Sequence, residues 1–147
     1  MNLKLLVIGV IATLSSIGVV ATSTAAQPGA EAGVELSERE LARGRILYMQ
    51  CRACHAVSGE SGAKIGPSLA GIFGQPAASV AGYDKYSEPL LAADLVWDEA
   101  TMDAWIRNPA ALVPGNLMAY AGMASDDSRA LLVRYLQHVT AEAAEGE

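Results

Sequence analysis

Residues 51–55 of this 147-residue chain read CRACH, and this pentapeptide constrains the fold more than any other stretch. Its two cysteines are the only cysteines in the sequence, and its histidine is one of only two. Two thiols at this spacing can form a disulfide, act as a redox dithiol, bind a metal ion or attach a cofactor. Each of these roles requires a different protein around the motif.

The first 26 residues have the layout of an export signal. Lys4 precedes an uncharged run from Leu5 to Ala26 that ends in small residues, which is typical of a secretory signal peptide cleaved after Ala26. The run is also long enough to cross a bilayer, so an uncleaved anchor is the alternative. In both cases we expect residues 27–36 to be a linker and the remainder of the chain to be exported to the periplasm.

Three of the four roles for the motif fit this sequence poorly. A disulfide that closes so short a loop stabilises a fold only weakly. A thioredoxin-like dithiol expects a βαβ pattern around it, and no such pattern is visible. A zinc site needs about four ligands, whereas the motif supplies three, with only His138 or carboxylates to complete the set.

Haem attachment remains, and it is the usual interpretation of C-x-x-C-H. Two thiols on successive parts of one helical turn can add to the two vinyl groups of a haem. We therefore expect Cys51 and Cys54 to form thioether bonds with one haem c. His55, next to the second thiol, is then the proximal iron ligand.

The segment before the motif predicts a helix that runs into it. Ser37 and Glu40 form a capping box, which places the start of the helix there. Gly44 lies on the predicted buried face, where glycine costs about 1 kcal/mol relative to alanine. We expect this glycine to allow close approach by the last helix, through Leu132 or Tyr135.

The remaining patterns predict a nearly all-α domain. Residues 58–83 form a long loop rich in Gly, Pro, Ser and Ala, which a haem can fill as a core. Short helices are expected after Ser87 and before Pro109, and a last helix after Ser125. The predicted boundaries are residues 37–141 for the domain and 142–147 for a frayed acidic tail.

The second axial ligand is not fixed by the residues alone. An electron carrier fills both axial positions, and methionine opposite histidine raises the reduction potential. Met49 is too close to Cys51 to cross the haem, and Met102 has core spacing in a helix. Met118 lies in a loop, which favours it, with Met123 as the fallback. His138 is expected to be a surface residue.

Several motifs together resemble the class I cytochromes c, the family of soluble bacterial and mitochondrial monohaem cytochromes. They are CRACH at 51–55, GPSLAGIFG at 66–74, Trp97, and WIRNPAALVPGNLMAYAGM at 105–123. The resemblance implies an all-α class I cytochrome c fold, with crossing N- and C-terminal helices and short helices and loops around one haem. It also implies an electron carrier rather than an enzyme.

The resemblance further implies roles for eight residues around the haem. On the proximal side, Pro67 accepts the His55 ring N–H and Leu69 makes apolar contact with the haem. Tyr86 and Trp97 donate to a propionate. On the distal side, Met118 is the ligand, Trp105 lies beside it, Asn116 lies near the propionate and the Met118 sulfur, and Tyr120 lies at the exposed haem edge.

The chain departs from the family pattern at three places. Gln75 stands where many members have an arginine near the propionates, which leaves the charge balance there open. The segment GYDKYS at 82–87 is one residue longer than the mitochondrial pattern. Leu117 replaces the lysine that usually precedes the distal methionine.

The charge of the chain bears on its partners. The formal net charge is −6, and removal of Lys4 with the signal leaves nine basic against sixteen acidic residues, a net charge of −7. Lys64 and Lys85 are then the only lysines, so the basic ring of mitochondrial cytochrome c is absent. This balance disfavours nucleic acid. We expect docking onto a basic partner or through an apolar haem edge around Ala53, Leu117 and Tyr120.

The expected partners are redox proteins: a donor dehydrogenase or quinol–cytochrome c reductase, and an acceptor oxidase or reductase. We expect a monomer without membrane insertion of the mature domain, unless the signal stays attached. Two alternatives remain open. One is a cytochrome subunit of an oxidoreductase complex, and the other is a ligand-binding or peroxidatic haem protein with an open iron site.

Overall fold

The structure is a computed structural model that describes residues 35–57 and 64–145. The architecture is all-α, and the bridge between Pro76 and Val96 is isolated. The predicted leader, residues 1–26, and most of the linker lie outside the described residues. No helix in the described ranges is long and apolar enough to cross a membrane. The helices are α1 (Glu38–Arg52), α2 (Glu88–Leu91), α3 (Glu99–Arg107), α4 (Pro109–Leu112) and α5 (Asp126–Glu145).

Helix α1 begins at the predicted capping box. The Ser37 hydroxyl accepts the Glu40 N–H at 3.3 Å, and the Glu40 carboxylate accepts the Ser37 N–H at 3.0 Å. Arg134 of α5 donates to the same carboxylate at 2.9 Å. The Ser37 hydroxyl also donates to this carboxylate at 2.6 Å. Chiefly because of that bond, and also because of those from the Ser37 N–H and Arg134, the pKa of Glu40 is lowered to about 2. The first turn of α1 is therefore fixed both locally and against α5.

Helices α1 and α5 cross at Gly44, as the sequence predicts. A Cβ atom at this position would lie 2.6 Å from the Tyr135 ring, so only glycine permits the approach. Tyr135 also contacts Tyr48, with 6.1 Å between their ring centroids. Of the two predicted partners of Gly44, Tyr135 supplies the nearest atoms, and Leu132 is fully buried in the core.

Helix α3 ends at Arg107, before Pro109, as predicted. A second short helix, α4, then begins at once, which the sequence analysis does not predict. The Asn108 side chain caps it by accepting the Ala111 N–H at 3.1 Å, and proline is compatible with the first turn because no N–H is needed there. The predicted apolar face of α3 is buried and consists of Met102, Trp105 and Ile106.

Residues 113–125, which we call the strap, connect α4 to α5. Arg129 of α5 holds the end of the strap, and its side chain is only 2% exposed. It donates to the Met123 carbonyl at 2.8 Å and pairs with Asp103 of α3 at 2.6 Å and with Asp126. Buried charges persist only where they are paired, so this network fixes the strap against α3 and α5.

Helix α5 extends further than the sequence predicts. Fraying is expected from residue 142, whereas the helix continues to Glu145. The segment AEAAE is rich in alanine and glutamate, which have high helix propensity, and this explains the extension. Residues 146–147 of the predicted tail lie outside the described residues.

Candidate haem site

One cavity collects the residues that the sequence analysis selects. It lies between the end of α1, the loop after α1 and the strap. All eleven predicted site residues line it: Cys51, Cys54, His55, Pro67, Leu69, Tyr86, Trp97, Trp105, Asn116, Met118 and Tyr120.

The two thiols lie where α1 ends. The backbone N–H groups of Cys54 and His55 donate to the Cys51 carbonyl at 3.0 and 2.9 Å. No disulfide joins the two cysteines, and burial, with the neighbouring Cys54, raises the pKa of the Cys51 thiol to about 11. A reactive dithiol needs a thiol with a lowered pKa, so this environment disfavours redox chemistry at the pair.

The His55 ring is fixed in orientation from two sides. Its Nδ1 lies 2.8 Å from the Pro67 carbonyl, which accepts the ring N–H and selects that tautomer. A Cβ atom on Gly66 would lie 2.5 Å from the ring, so glycine is required behind the imidazole. Burial lowers the pKa of His55 despite the Pro67 bond, which raises it. The neutral ring therefore keeps Nε2 as a lone-pair donor.

The zinc alternative finds no support in the geometry. Among the described residues, no three His, Cys, Asp or Glu side chains come together in a group that could hold a metal ion. His138, the only other histidine, lies 3.6 Å from Glu142 on α5 and is not a cavity residue.

Met118 lines the cavity from the strap, and two neighbours fix it. The Trp105 indole N–H donates to the Met118 sulfur at 3.2 Å. The Asn116 side-chain oxygen accepts the Met118 backbone N–H at 2.9 Å, while its amide donates to the Val113 carbonyl. Among the described residues, Met102 is the only other methionine that lines the cavity, and it is 6% exposed on α3.

Aromatic hydroxyl and indole groups line another part of the cavity. The Tyr86 hydroxyl accepts the Val80 N–H at 3.3 Å, so its own proton is free to be donated. Tyr83 packs edge-on against Tyr86, with 4.7 Å between ring centroids. Trp97 packs in the same way against Trp105 at 5.4 Å.

One buried polar atom suggests that the cavity holds a group the protein itself does not supply. The Tyr120 hydroxyl is buried, and within the described ranges it has no hydrogen-bond partner. Such a group costs about 1–3 kcal/mol unless something satisfies it. Two thiols, an imidazole, a thioether and several donors in a largely apolar space are the residues that a covalently held haem needs, so the site fits that group.

The structure adds site residues that the sequence analysis missed. Gly66, Tyr83, Lys85 and Met102 also line the cavity. Gly66 carries a local signal, because it directly precedes Pro67 in a Gly-Pro pair. The only sequence clue to Lys85 is that its loop, residues 82–87, is longer than the mitochondrial pattern. Its position at the cavity depends on how that loop folds back.

Comparison with known proteins gives a consistent result. The family model described as cytochrome c matches residues 41–140. Cytochrome c2 iso-2 of Magnetospirillum molischianum is 39% identical over 61% of this chain and 91% of its own length. Cytochrome c-554 of Methylosinus trichosporium is 37% identical over 76% and 83%, and cytochrome c of Chlamydomonas reinhardtii is 38% identical over 69% and 91%.

The family model covers well over half of the chain, and it contains both the CRACH motif and the strap. The relatives match over most of their own lengths, so the similarity concerns whole proteins rather than a shared fragment. The chain therefore belongs to the cytochrome c family, whose members carry electrons on a covalently attached haem c and are not enzymes.

Proposed function

We propose that this protein carries single electrons between redox proteins in the periplasm, with His55 and Met118 as the axial ligands of its haem iron. The observation that carries the proposal is that the His55 imidazole and the Met118 thioether line the same cavity as both cysteines. Bound haem c supplies the one-electron chemistry. The protein contributes attachment, ligands and shielding from water.

Each wall of the cavity has a distinct task in this proposal. Cys51 and Cys54 hold the haem covalently. Pro67 keeps the His55 ring N–H occupied, so Nε2 is the atom available for the iron. Leu69 provides apolar contact, which keeps the local dielectric low.

The distal wall stabilises the ligand sulfur. Asn116 fixes the backbone of Met118, and Trp105 donates to its sulfur. A thioether favours ferrous iron, and a hydrogen bond to the sulfur withdraws electron density and favours that state further. Both contacts therefore support a raised reduction potential.

Replacing Trp105 by phenylalanine is expected to lower the midpoint potential. The change removes the indole N–H that lies 3.2 Å from the Met118 sulfur, a hydrogen bond worth about 1 kcal/mol. The measurement is a redox titration of the holoprotein together with the long-wavelength absorbance band of sulfur-bound ferric haem. Tyr83→Phe is the matched control, because Tyr83 lines the cavity but donates to the Ile65 carbonyl. Equal shifts of the midpoint potential in Trp105→Phe and Tyr83→Phe would argue against a role for the Trp105–sulfur hydrogen bond.

The proposed docking surface is the apolar edge around Ala53, Leu117 and Tyr120. Leu117 is 72% exposed although it lines the cavity, so a partner can approach the haem there without unfolding the strap. The net charge of −7 after removal of the leader favours partners with a basic face around this edge. The proposed electron donor is a dehydrogenase or a quinol–cytochrome c reductase, and the proposed acceptor is an oxidase or a reductase.

Periplasmic location rests on the leader pattern of residues 1–26. Fusion of these residues to a reporter enzyme, with an export assay, tests that part of the proposal. An anchored form would remain with the membrane fraction, whereas a cleaved form would be released with the periplasmic contents.

The carrier function is tested on the exported holoprotein. We expect reversible one-electron redox titration, no carbon monoxide binding at neutral pH and no stable co-purifying protein. Binding of carbon monoxide by the reduced protein would reveal an open iron site and overturn the carrier proposal. A partner that co-purifies in a fixed ratio would instead favour a subunit of an oxidoreductase complex.

A further inference from the structure

In the described part of the chain, a single formally charged side chain lines the haem cavity. Among the lining residues that the structure describes, Lys85 is the only lysine, arginine, aspartate or glutamate. Haem c brings two propionates, which are anionic at neutral pH because carboxyl pKa values lie near 4. Anions at the edge of a largely apolar cavity are costly unless a cation or hydrogen-bond donors satisfy them.

Covalent attachment fixes which edge of the haem carries those anions. The thioethers form at the vinyl groups, and the propionates lie on the opposite edge of the macrocycle. The cysteines belong to the end of α1, whereas Lys85 belongs to the 82–87 loop. The cation therefore comes from a different element than the one that holds the vinyl edge.

Two hydrogen bonds hold the 82–87 loop against the cavity. The Tyr83 hydroxyl donates to the Ile65 carbonyl at 3.0 Å, and the Tyr86 hydroxyl accepts the Val80 N–H at 3.3 Å. Lys85 lies between these two tyrosines, and a lysine stem can follow an apolar rim while its ammonium stays partly in water. The loop thus places an exposed cation on the lining of the cavity.

The charge of Lys85 has no other partner in the described part of the chain, where it forms no ion pair with a carboxylate. Lys64, the other lysine outside the leader, donates to the Arg52 carbonyl at 3.0 Å and does not line the haem cavity. Gln75, which stands where many family members have an arginine, is neutral and does not line this cavity either.

We propose that Lys85 is the cation that pairs with a haem propionate in this protein. The inference rests on haem c filling this cavity, and the visible spectrum of the purified holoprotein tests that condition separately. Lys85 positions and neutralises a cofactor group, so its effect appears in the redox equilibrium rather than in attachment.

The sign of the effect follows from electrostatics. Reduction adds one negative charge to the haem, and a nearby cation stabilises the reduced form. Lys85→Gln should shift the equilibrium with a fixed redox mediator about threefold toward the oxidised form, which corresponds to about 30 mV. Lys85→Glu should shift it roughly twice as far on the same scale, and Lys85→Arg should leave it close to the parent.

The matched series is Lys64→Gln, Lys64→Glu and Lys64→Arg, which changes the same charge outside the cavity. Measured at low ionic strength, where screening is weak, the Lys64 series should shift the equilibrium by less than half as much. Proton NMR of the propionate methylene groups gives a second readout. Their shifts should change in Lys85→Gln and stay constant in Lys64→Gln.

Equal shifts of the redox equilibrium in the two series would overturn the proposal, because Lys85 would then be an ordinary surface charge. Unchanged propionate methylene signals in Lys85→Gln would overturn it as well. A parent protein that lacks the haem spectrum would instead refute the haem assignment itself, so the two failures are distinguishable.

Discussion

Replacing Met118 by leucine is expected to abolish the long-wavelength absorbance band of sulfur-bound ferric haem and to open the iron to carbon monoxide. Leucine keeps the volume of the side chain, so the strap should fold as before. Loss of the thioether removes the proposed ligand, which favours ferrous iron. We expect the midpoint potential to fall by roughly 0.2 V, a fraction of the roughly 0.8 V range that axial ligands span.

Two isosteric variants serve as controls for this result. Met102→Leu changes the other methionine that lines the cavity, and Met123→Leu changes the fallback ligand on the same strap. Both should keep the band and the potential. If Met102→Leu or Met123→Leu lost the band while Met118→Leu kept it, the assignment of the distal ligand would be wrong.

Replacing Gly44 by valine is expected to destabilise the holoprotein by about 3 kcal/mol. The new Cβ would lie 2.6 Å from the Tyr135 ring at the crossing of α1 and α5, so one helix must shift. Valine is a better helix former than glycine, and the loss therefore reports tertiary packing rather than helix propensity. Urea unfolding of the ferric holoprotein, followed by circular dichroism, measures the change.

Ala42→Val is the matched control, because Ala42 is an exposed residue of the same helix. This variant should cost only about 0.5 kcal/mol, the difference in helix propensity. If Gly44→Val and Ala42→Val unfolded at the same midpoint urea concentration, α1 and α5 would not approach each other at Gly44.

Local patterns accounted for much of the fold. The start of α1 follows from Ser37 and Glu40, because a capping box satisfies backbone N–H groups within four residues. The end of α3 follows from Pro109 for an equally local reason. The α1/α5 crossing could be predicted because Gly44 is unfavourable in a helix unless another element approaches it.

Contacts between residues far apart in the chain could not be predicted from local patterns. Arg129 looks like an ordinary surface residue of an amphipathic helix, yet it is buried and pairs with Asp103, 26 positions earlier. Helix α4 was missed because it needs the Asn108 cap immediately after α3 ends. The order of residues gives no direct measure of such contacts.

In the candidate site, too, the features set by neighbouring residues were predictable from the sequence, and those set by distant residues were not. The CRACH motif indicated haem attachment by itself, because the thioether bonds and the proposed proximal ligand need only neighbouring residues on one turn. The residue patterns narrowed the choice of the second ligand to a small set of methionines, and the family resemblance then favoured Met118. The hydrogen bond from Trp105 to its sulfur spans 13 positions and became visible only in the structure.

The sequence by itself therefore determined that this protein binds haem c and belongs among electron carriers, since those properties reside in short covalent and ligand motifs. The tertiary structure alone decided that Gly66 backs the His55 ring. It also decided that, among residues 35–57 and 64–145, the buried Tyr120 hydroxyl has no partner and Lys85 is the one formal charge that lines the cavity. The physical reason is that burial and electrostatic pairing are set by the distances between residues that are far apart in the chain, and folding fixes those distances.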